Sequence, residues 1–407
     1  MHLSKEDETV VTRVAERGVE RAHPRVAALC GITLCLEGYD IAAAGYAIPS
    51  LVDAWGQPPS AFTLALSAGN VGMLFGSLGA GWLGDRLGRK RALIACVAAL
   101  GLFSLLCALA GSPSQLAGLR LLTGLGLGGG VPLAIALAAD FAPAIAPARF
   151  VILASAGIPI GFTAGGLLAS QLLRVFGWPA IFLAGGALPL ALAPFLITQL
   201  PASIPRAEAR SRNPVASLFQ SGLAASTSLL WAINLFSLLA TYLALLWLPA
   251  ILHGAGLSPS QAAFGTSAYP FGLIAAGLLT AVVIDRIGAE VVLTFGLAFG
   301  AACLLVLALF RPPFGLLLAV ICGAGVAGGC QGGINALSAL AYPPAIRATG
   351  VGWALGAGRI GAIAGPLLGG GLLALGRQPQ DIFVATAVSV LAATALMALL
   401  GRLRNRW

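Results

Sequence analysis

Gly81-Trp82-Leu83-Gly84-Asp85-Arg86-Leu87-Gly88-Arg89-Lys90-Arg91 is a polar loop between two apolar runs, and a shorter copy, Asp285-Arg286-Ile287-Gly288, follows 200 residues later. The flanking runs, 61–83 and 92–110, are close to the ~20 residues an α-helix needs to cross the hydrocarbon of a bilayer. Working outward from this loop gives twelve such runs: 26–48, 61–83, 92–110, 116–139, 150–173, 179–199, 227–252, 260–284, 291–310, 314–340, 349–375 and 382–401. Pro49, Gly111, Pro113, Gly177, Pro259, Pro312 and Pro379 punctuate the gaps. The longest polar interruption, 201–214, carries Arg206, Glu208, Arg210 and Arg212 and divides the spans six and six. With the repeated loop, this reads as a parallel duplication of a six-helix unit, the organisation of a carrier that rocks one half against the other. The expected units are a tail over 1–24, a bundle over 25–200, a central loop over 201–225, a second bundle over 226–402 and a short tail over 403–407.

Composition supports an all-α membrane protein. Of the 407 residues 58% are hydrophobic and only 9% charged, where a soluble domain carries about 25% charged residues. That excludes a soluble multi-domain enzyme, and the excess of apolar residues excludes disorder. An outer-membrane barrel would show alternating segments of about 10 residues, which are missing. Residues 1–24 mix both charge signs and have no apolar core, so they do not read as a cleavable signal. Glycine, 54 of 407 residues, suits close helix packing in lipid.

The basic residues set orientation. With both ends on one side, that side holds 18 of the 23 Lys and Arg, while the other keeps only Arg174, Arg311 and Arg377. Both termini are therefore expected in the cytoplasm, in a multi-pass protein of a bacterial-type inner membrane. The net charge of +9 then reflects lipid orientation; basic residues serving a nucleic-acid partner would not respect sidedness. The seven cysteines all fall inside expected spans, an odd number without metal-type spacing, and read as packing residues. No metal, cofactor or nucleotide loop is indicated: Gly124–Gly130 lacks the following Lys-Ser/Thr of a phosphate cradle.

The loop at 81–91 resembles the cytoplasmic signature of the major facilitator superfamily, and Arg120-Leu-Leu-Thr-Gly124-Leu-Gly126-Leu-Gly128 is similar to its second motif. Glu37-Gly38-Tyr39-Asp40 with Ala43-Ala44-Gly45 resembles the acidic motif of the aromatic acid:proton symporters within it. So do Gln331-Gly332-Gly333-Ile334-Asn335, Tyr342-Pro343, Arg347-Ala348-Thr349-Gly350, Gly358-Arg359 and Gly365-Pro366. Glu37, where many hydroxybenzoate carriers have Asp, together with Ile158-Pro159-Ile160-Gly161 and Trp247-Leu248-Pro249, looks more like the hydroxyphenylpropionate branch. The resemblance implies the major facilitator fold, two pseudo-symmetric six-helix bundles, and proton-coupled uptake of an aromatic carboxylate by a monomer.

Charge placement can be read independently. Of 14 acidic residues only Glu37 and Asp40 lie inside a span, and of the basic ones only Arg120 and Arg359. Each ionised side chain near the bilayer centre costs about 2.5–3.5 kcal/mol, so pairing or a wet cavity is expected. Glu37 and Asp40 are three apart and share a helix face. Two carboxylates that close do not both ionise cheaply, so one is expected to hold a proton, and Asp40 is favoured as the carrier. A structural pair with Arg120 or Arg359 is the competing reading. Arg359, among Gly352, Gly356 and Ala362, has room for an anion and a planar fork that suits a carboxylate. Arg120, facing Gly124, reads as a gating or pairing residue before a substrate contact. Gln331 and Asn335, four apart, can hydrogen-bond a substrate hydroxyl or join helices. Among the aromatic residues inside the spans, Tyr242 and Tyr46 are the expected ring contacts.

A latch is expected at the cytoplasmic face: Asp85 accepting from the start of helix 11 near Thr349-Gly350, and Arg89 or Arg91 reaching Asp140. As the superfamily resemblance implies, these would hold that side shut while the outside is open. Two other functions compete. Export of drugs or metabolites would use the same fold, but two intramembrane arginines favour an anion over a cation. A non-transporting sensor would need a larger soluble domain than the tail and loop provide.

Overall fold

The computed structural model describes residues 5–141, 154–201, 216–220, 223–310, 313–343 and 346–404; side chains at 5–24, 81, 82, 85, 216, 285, 339, 347–349 and 404 lie outside that description. Twelve helices are long and apolar enough to span a membrane, and there is no strand among the described residues. They are α1 (Lys5–Trp55), α2 (Thr63–Leu87), α3 (Arg89–Cys107), α4 (Pro113–Asp140), α5 (Gly157–Val175) and α6 (Pro179–Gln199) in the first half. The second half holds α7 (Ala224–Gly254), α8 (Pro259–Thr266 continued by Ala268–Ile287) and α9 (Ala289–Leu309). It ends with α10 (Phe314–Gly329 continued by Gln331–Leu340), α11 (Arg347–Ala374) and α12 (Asp381–Arg404). The face on which α1 starts and α12 ends is called inner below, following the basic bias of its loops.

The duplicated loop has a backbone reason. Gly88 and Gly288 close α2 and α8 with φ of 81° and 98°, a region L side chains avoid. A sharp reversal between spans thus requires glycine at the same place in each half.

Packing inside each bundle rests on backbone approach. A Cβ at Gly72 of α2 would collide with the Leu121 carbonyl of α4, and one at Gly128 of α4 with the Met73 carbonyl. In the second half, 200 residues on, a Cβ at Gly272 of α8 would meet the Cys322 carbonyl of α10. Apolar side chains gain nothing by leaving lipid for each other, so this close fit supplies the dispersion energy that holds the helices together.

Three spans differ from expectation. Pro49 does not end the first span: α1 runs through it to Trp55. Surrounding helices support a proline inside a membrane helix at that depth. Conversely, the eighth and tenth spans are each broken. Pro270 has no N–H to donate to Thr266, and the break falls at Ser267 between them. The second break, at Cys330, lies among Gly328, Gly329, Gly332 and Gly333. The expected start of the fifth span at 150 and the central loop at 202–215 lie outside the described residues.

The bundles meet at their outer halves. Gly45 of α1 lies against the Leu246 carbonyl of α7, Gly166 of α5 against Ala263 and Ser267 of α8, and Gly370 of α11 against Thr63 of α2. Ser260 Oγ donates to the Ser170 carbonyl at 2.7 Å. Toward the inner side Gly79 of α2 and Gly352 and Gly356 of α11 meet no neighbouring atom within 4 Å. The contacts between the bundles thus lie in their outer halves, and the inner part of α11 has open space beside Gly352 and Gly356.

Candidate substrate and proton site

Asp40 and Glu37 are carried on the part of α1 that presses against α5. A Cβ at Gly38 would strike the Ile158 carbonyl, so only glycine lets the helices touch there. Tyr39 fixes the rotation of α1 by donating its hydroxyl to the Ile181 carbonyl of α6 at 2.8 Å. Asp40 then faces the interior of the first bundle with 0% exposure. Its Oδ2 accepts from Arg120 Nη1 at 2.6 Å, its Oδ1 accepts from Ser104 Oγ at 2.6 Å, and its carbonyl accepts from Arg120 Nη2 at 2.9 Å. Gly185 of α6 leaves the space this needs, since a Cβ there would lie 3.1 Å from Asp40 Oδ1. Arg120 itself is 3% exposed. The pair joins α1 to α4, with α3 contributing Ser104.

Glu37 has different surroundings. It is also 0% exposed, but neither carboxylate oxygen has a hydrogen-bond partner among the described residues. Its side chain reaches toward α4, where Oε1 occupies the space that a Cβ on Gly130 would need. An ionised carboxylate there would bear several kcal/mol of desolvation with nothing to offset it. The site suits the uncharged acid.

The second bundle places amides at the repeat-related position. Ser237 and Cys330 stand 200 residues after Glu37 and Gly130, and Gln331 adjoins Cys330. Ser237 Oγ donates to Gln331 Oε1, and Gln331 Nε2 donates to Asn234 Oδ1 and Asn335 Oδ1, each at 2.9 Å. Gln331 and Asn335 are partly exposed, whereas Asn234 is buried. Gln331 and Asn335 lie on one face as expected; they also bond each other, and the network is extended by two residues of α7 that sequence reasoning did not assign to the site. Asn234 reads as a packing residue in sequence; Ser237 could have been found through the 200-residue offset from Glu37. Ser104 carries no signal, being one hydroxyl in an apolar helix.

Arg359 lies on α11, partly exposed and without a partner among the described residues. A helical side chain leans over the turn on its N-terminal side, so Arg359 extends over Gly356 and Gly352, where there is open space. It does not pair with either acid of α1.

The two tyrosines expected as ring contacts are both buried. Tyr46 is 0% exposed and donates to the Phe162 carbonyl at 2.7 Å, so its hydroxyl is committed to joining α1 and α5. Tyr242 is 7% exposed, within the densely buried α7.

At the inner face Arg89 Nη1 lies 2.6 Å from Asp140 Oδ1. Arg91 is exposed and does not make this contact. The expected contact between Arg89 and Asp140 is present; α3 and α4 belong to the same bundle, so the pair itself braces that bundle and does not bridge the two. The side chains of Asp85 and Thr349 lie outside the described residues.

Two pseudo-symmetric six-helix bundles around a cleft, with charged and amide groups at mid-membrane depth, define a secondary transporter of the rocking type. The chain belongs to the Major Facilitator Superfamily, whose sequence profile matches residues 30–253 and 230–406. It is a multi-pass protein of the inner membrane and a transporter, not an enzyme. It is 37% identical to the 3-(3-hydroxy-phenyl)propionate transporter of Escherichia coli K12, over 93% of this chain and 94% of that one. It is 34% identical to the gallate transporter of Pseudomonas putida, over 93% and 92%. The fold superimposes on the inward-facing, unoccupied crystal structure of a bacterial homologue of the human lysosomal transporter Spinster with a TM-score of 0.77, at 19% identity over 95% of this chain and 98% of that one.

Proposed function

We propose that this protein imports an aromatic carboxylate together with protons, as a monomer whose two bundles alternately expose the cleft to each side with both termini in the cytoplasm. The observation that carries the proton half of this reading is Glu37: fully buried, with both oxygens unpartnered, beside an Asp40 whose charge is already matched by Arg120. Sequence alone favours Asp40 as the proton carrier. Pairing with Arg120 makes Asp40 the fixed charge and Glu37 the group that binds and releases a proton as the bundles rock. The substrate half is supported by Arg359, a partly exposed guanidinium over an open stretch of α11, by the amide network at Gln331 and Asn335, and by relatives named for gallate and hydroxyphenylpropionate.

In this mechanism the aromatic acid enters from outside with its carboxylate on Arg359 and its ring hydroxyls on the amides of α10. At least one proton accompanies each monoanion; otherwise the membrane potential opposes uptake by about 2.3 kcal/mol per charge per 100 mV. Purified protein in vesicles with an alkaline interior is expected to accumulate a labelled aromatic acid against its gradient, and a protonophore to abolish that accumulation. Failure to accumulate any benzoate-type or phenylpropionate acid, or accumulation indifferent to the proton gradient, would overturn the reading. Arg359→Lys keeps the charge but loses the bidentate fork. It is expected to weaken binding of the acid about tenfold, roughly 1.4 kcal/mol, with unfolding temperature unchanged; unaltered affinity would remove Arg359 from the site.

A further inference from the structure

The outer ends of α1 and α7 are joined by Asp53 and His253. His253 Nε2 lies 3.3 Å from Asp53 Oδ1, and His253 Nδ1 lies 2.9 Å from the Leu257 carbonyl oxygen. The geometry decides the protonation state that the bridge needs. A carbonyl oxygen only accepts, so Nδ1 must carry a hydrogen to bond Leu257. The neutral ring would then turn a bare lone pair on Nε2 toward a carboxylate, which also only accepts. Only the imidazolium has a hydrogen on both nitrogens and satisfies both partners at once.

We propose that Asp53 and His253 form a proton-operated latch on the outer gate: an external proton on His253 holds the two bundles together at the outer face, and its loss frees them. The pair is placed for this. Asp53 belongs to the first bundle and His253 to the second, and the two side chains are 58% and 26% exposed, open to protons from outside. Beside them is a partly open apolar cavity of about 180 Å³ between the bundles, lined from α1 by Pro49 and Val52, from the turn before α2 by Pro59, from α7 by Trp247 and from α11 by Leu373. Pro379, from the connection before α12, completes the wall, and His253 is the one titratable residue in it. Asp53 and the Leu257 carbonyl are therefore the groups that His253 answers to.

The sign of the latch follows from the hydrogens that the two acceptors require. In acid, with a proton on both nitrogens, the bridge is formed and the outward-closed arrangement gains population; when that proton is lost, so is the contact. A proton-driven importer would acidify the cell most when external protons are abundant, and this latch slows outward reopening under that condition. It is separate from Glu37 and does not depend on what is carried.

The test reads the gate, not transport. A cysteine at Leu373→Cys, in the wall of that cavity, reports opening by its rate of labelling with a membrane-impermeant thiol reagent, in lipid nanodiscs. Comparing two proteins at the same pH cancels the reactivity of the thiol itself. At pH 5.5 adding His253→Leu is expected to speed labelling about two- to fivefold, the range an exposed ion pair supports; at pH 8 the rates should coincide. Asp53→Asn should reproduce both results, and combining the two substitutions should add nothing. Equal rates at both pH values, or a ratio that does not change with pH, would overturn the proposal.

Discussion

Replacing Arg120 with leucine is expected to abolish uptake and to lower the stability of the protein by about 3–5 kcal/mol, the range for breaking a buried ion pair from one side. The reason is the Asp40 carboxylate, which has 0% exposure and is left with Ser104 alone. Its second oxygen and its backbone carbonyl both lose their donors. Asp40→Asn should destabilise for the mirror-image reason, leaving a guanidinium without a counter-charge at that depth. The double variant Asp40→Asn/Arg120→Leu removes both charges and is expected to recover most of the lost stability, because a matched buried pair is often replaceable by uncharged groups at little cost. Transport should not return with it. Thermal unfolding and vesicle uptake on the four proteins separate the two roles. Recovery of transport together with stability would make the pair purely structural, and three variants as stable as the parent would mean that the pair contributes nothing to the fold.

The fold is legible because the bilayer is an unforgiving solvent. Twelve apolar runs, the sidedness of arginine and the Asp-Arg-x-Gly repeat each follow from a cost that no local context can hide. The repeat even carries its backbone reason, since Gly88 and Gly288 both take positive φ. The same cost makes Glu37, Asp40, Arg120 and Arg359 stand out as the charges inside spans. What those residues do to one another is not written in their spacing. Asp40 meets Arg120 only because α1, α3, α4 and α6 converge, with Gly185 leaving the room. Glu37, one turn away, points instead at Gly130 and finds no donor. Helical periodicity treats the two acids as a coupled pair sharing a proton, and the packing separates them. The Arg89–Asp140 contact shows the opposite limit: the contact is foreseeable from charge, but its meaning depends on which bundle holds each end. Tyr46 illustrates a third limit, since an aromatic ring in a span reads as a ring contact for substrate, while the packing commits its hydroxyl to the Phe162 carbonyl.

Glu37→Gln is expected to uncouple the carrier without unfolding it. Glutamine reproduces the shape and neutrality of the protonated acid, so the space next to Gly130 stays filled and no charge is exposed or buried by the change. The bundles should still rock, and exchange of labelled for unlabelled substrate across a vesicle with equal pH on both sides should persist within about twofold of the parent rate. Net accumulation is another matter. A difference of one pH unit is worth about 1.4 kcal/mol per proton, a factor of ten in the substrate ratio. With an interior one unit more alkaline, the parent should approach at least that ratio and Glu37→Gln should stay near unity. A glutamine cannot release a proton inside and so cannot draw on the gradient. The comparison with Asp40→Asn sharpens the assignment. That variant should lose exchange as well as accumulation, because its damage is to the ion pair that holds α1 against α4. If Glu37→Gln accumulates like the parent while Asp40→Asn retains exchange and loses accumulation, the proton is carried by Asp40, in a state where Arg120 has let it go.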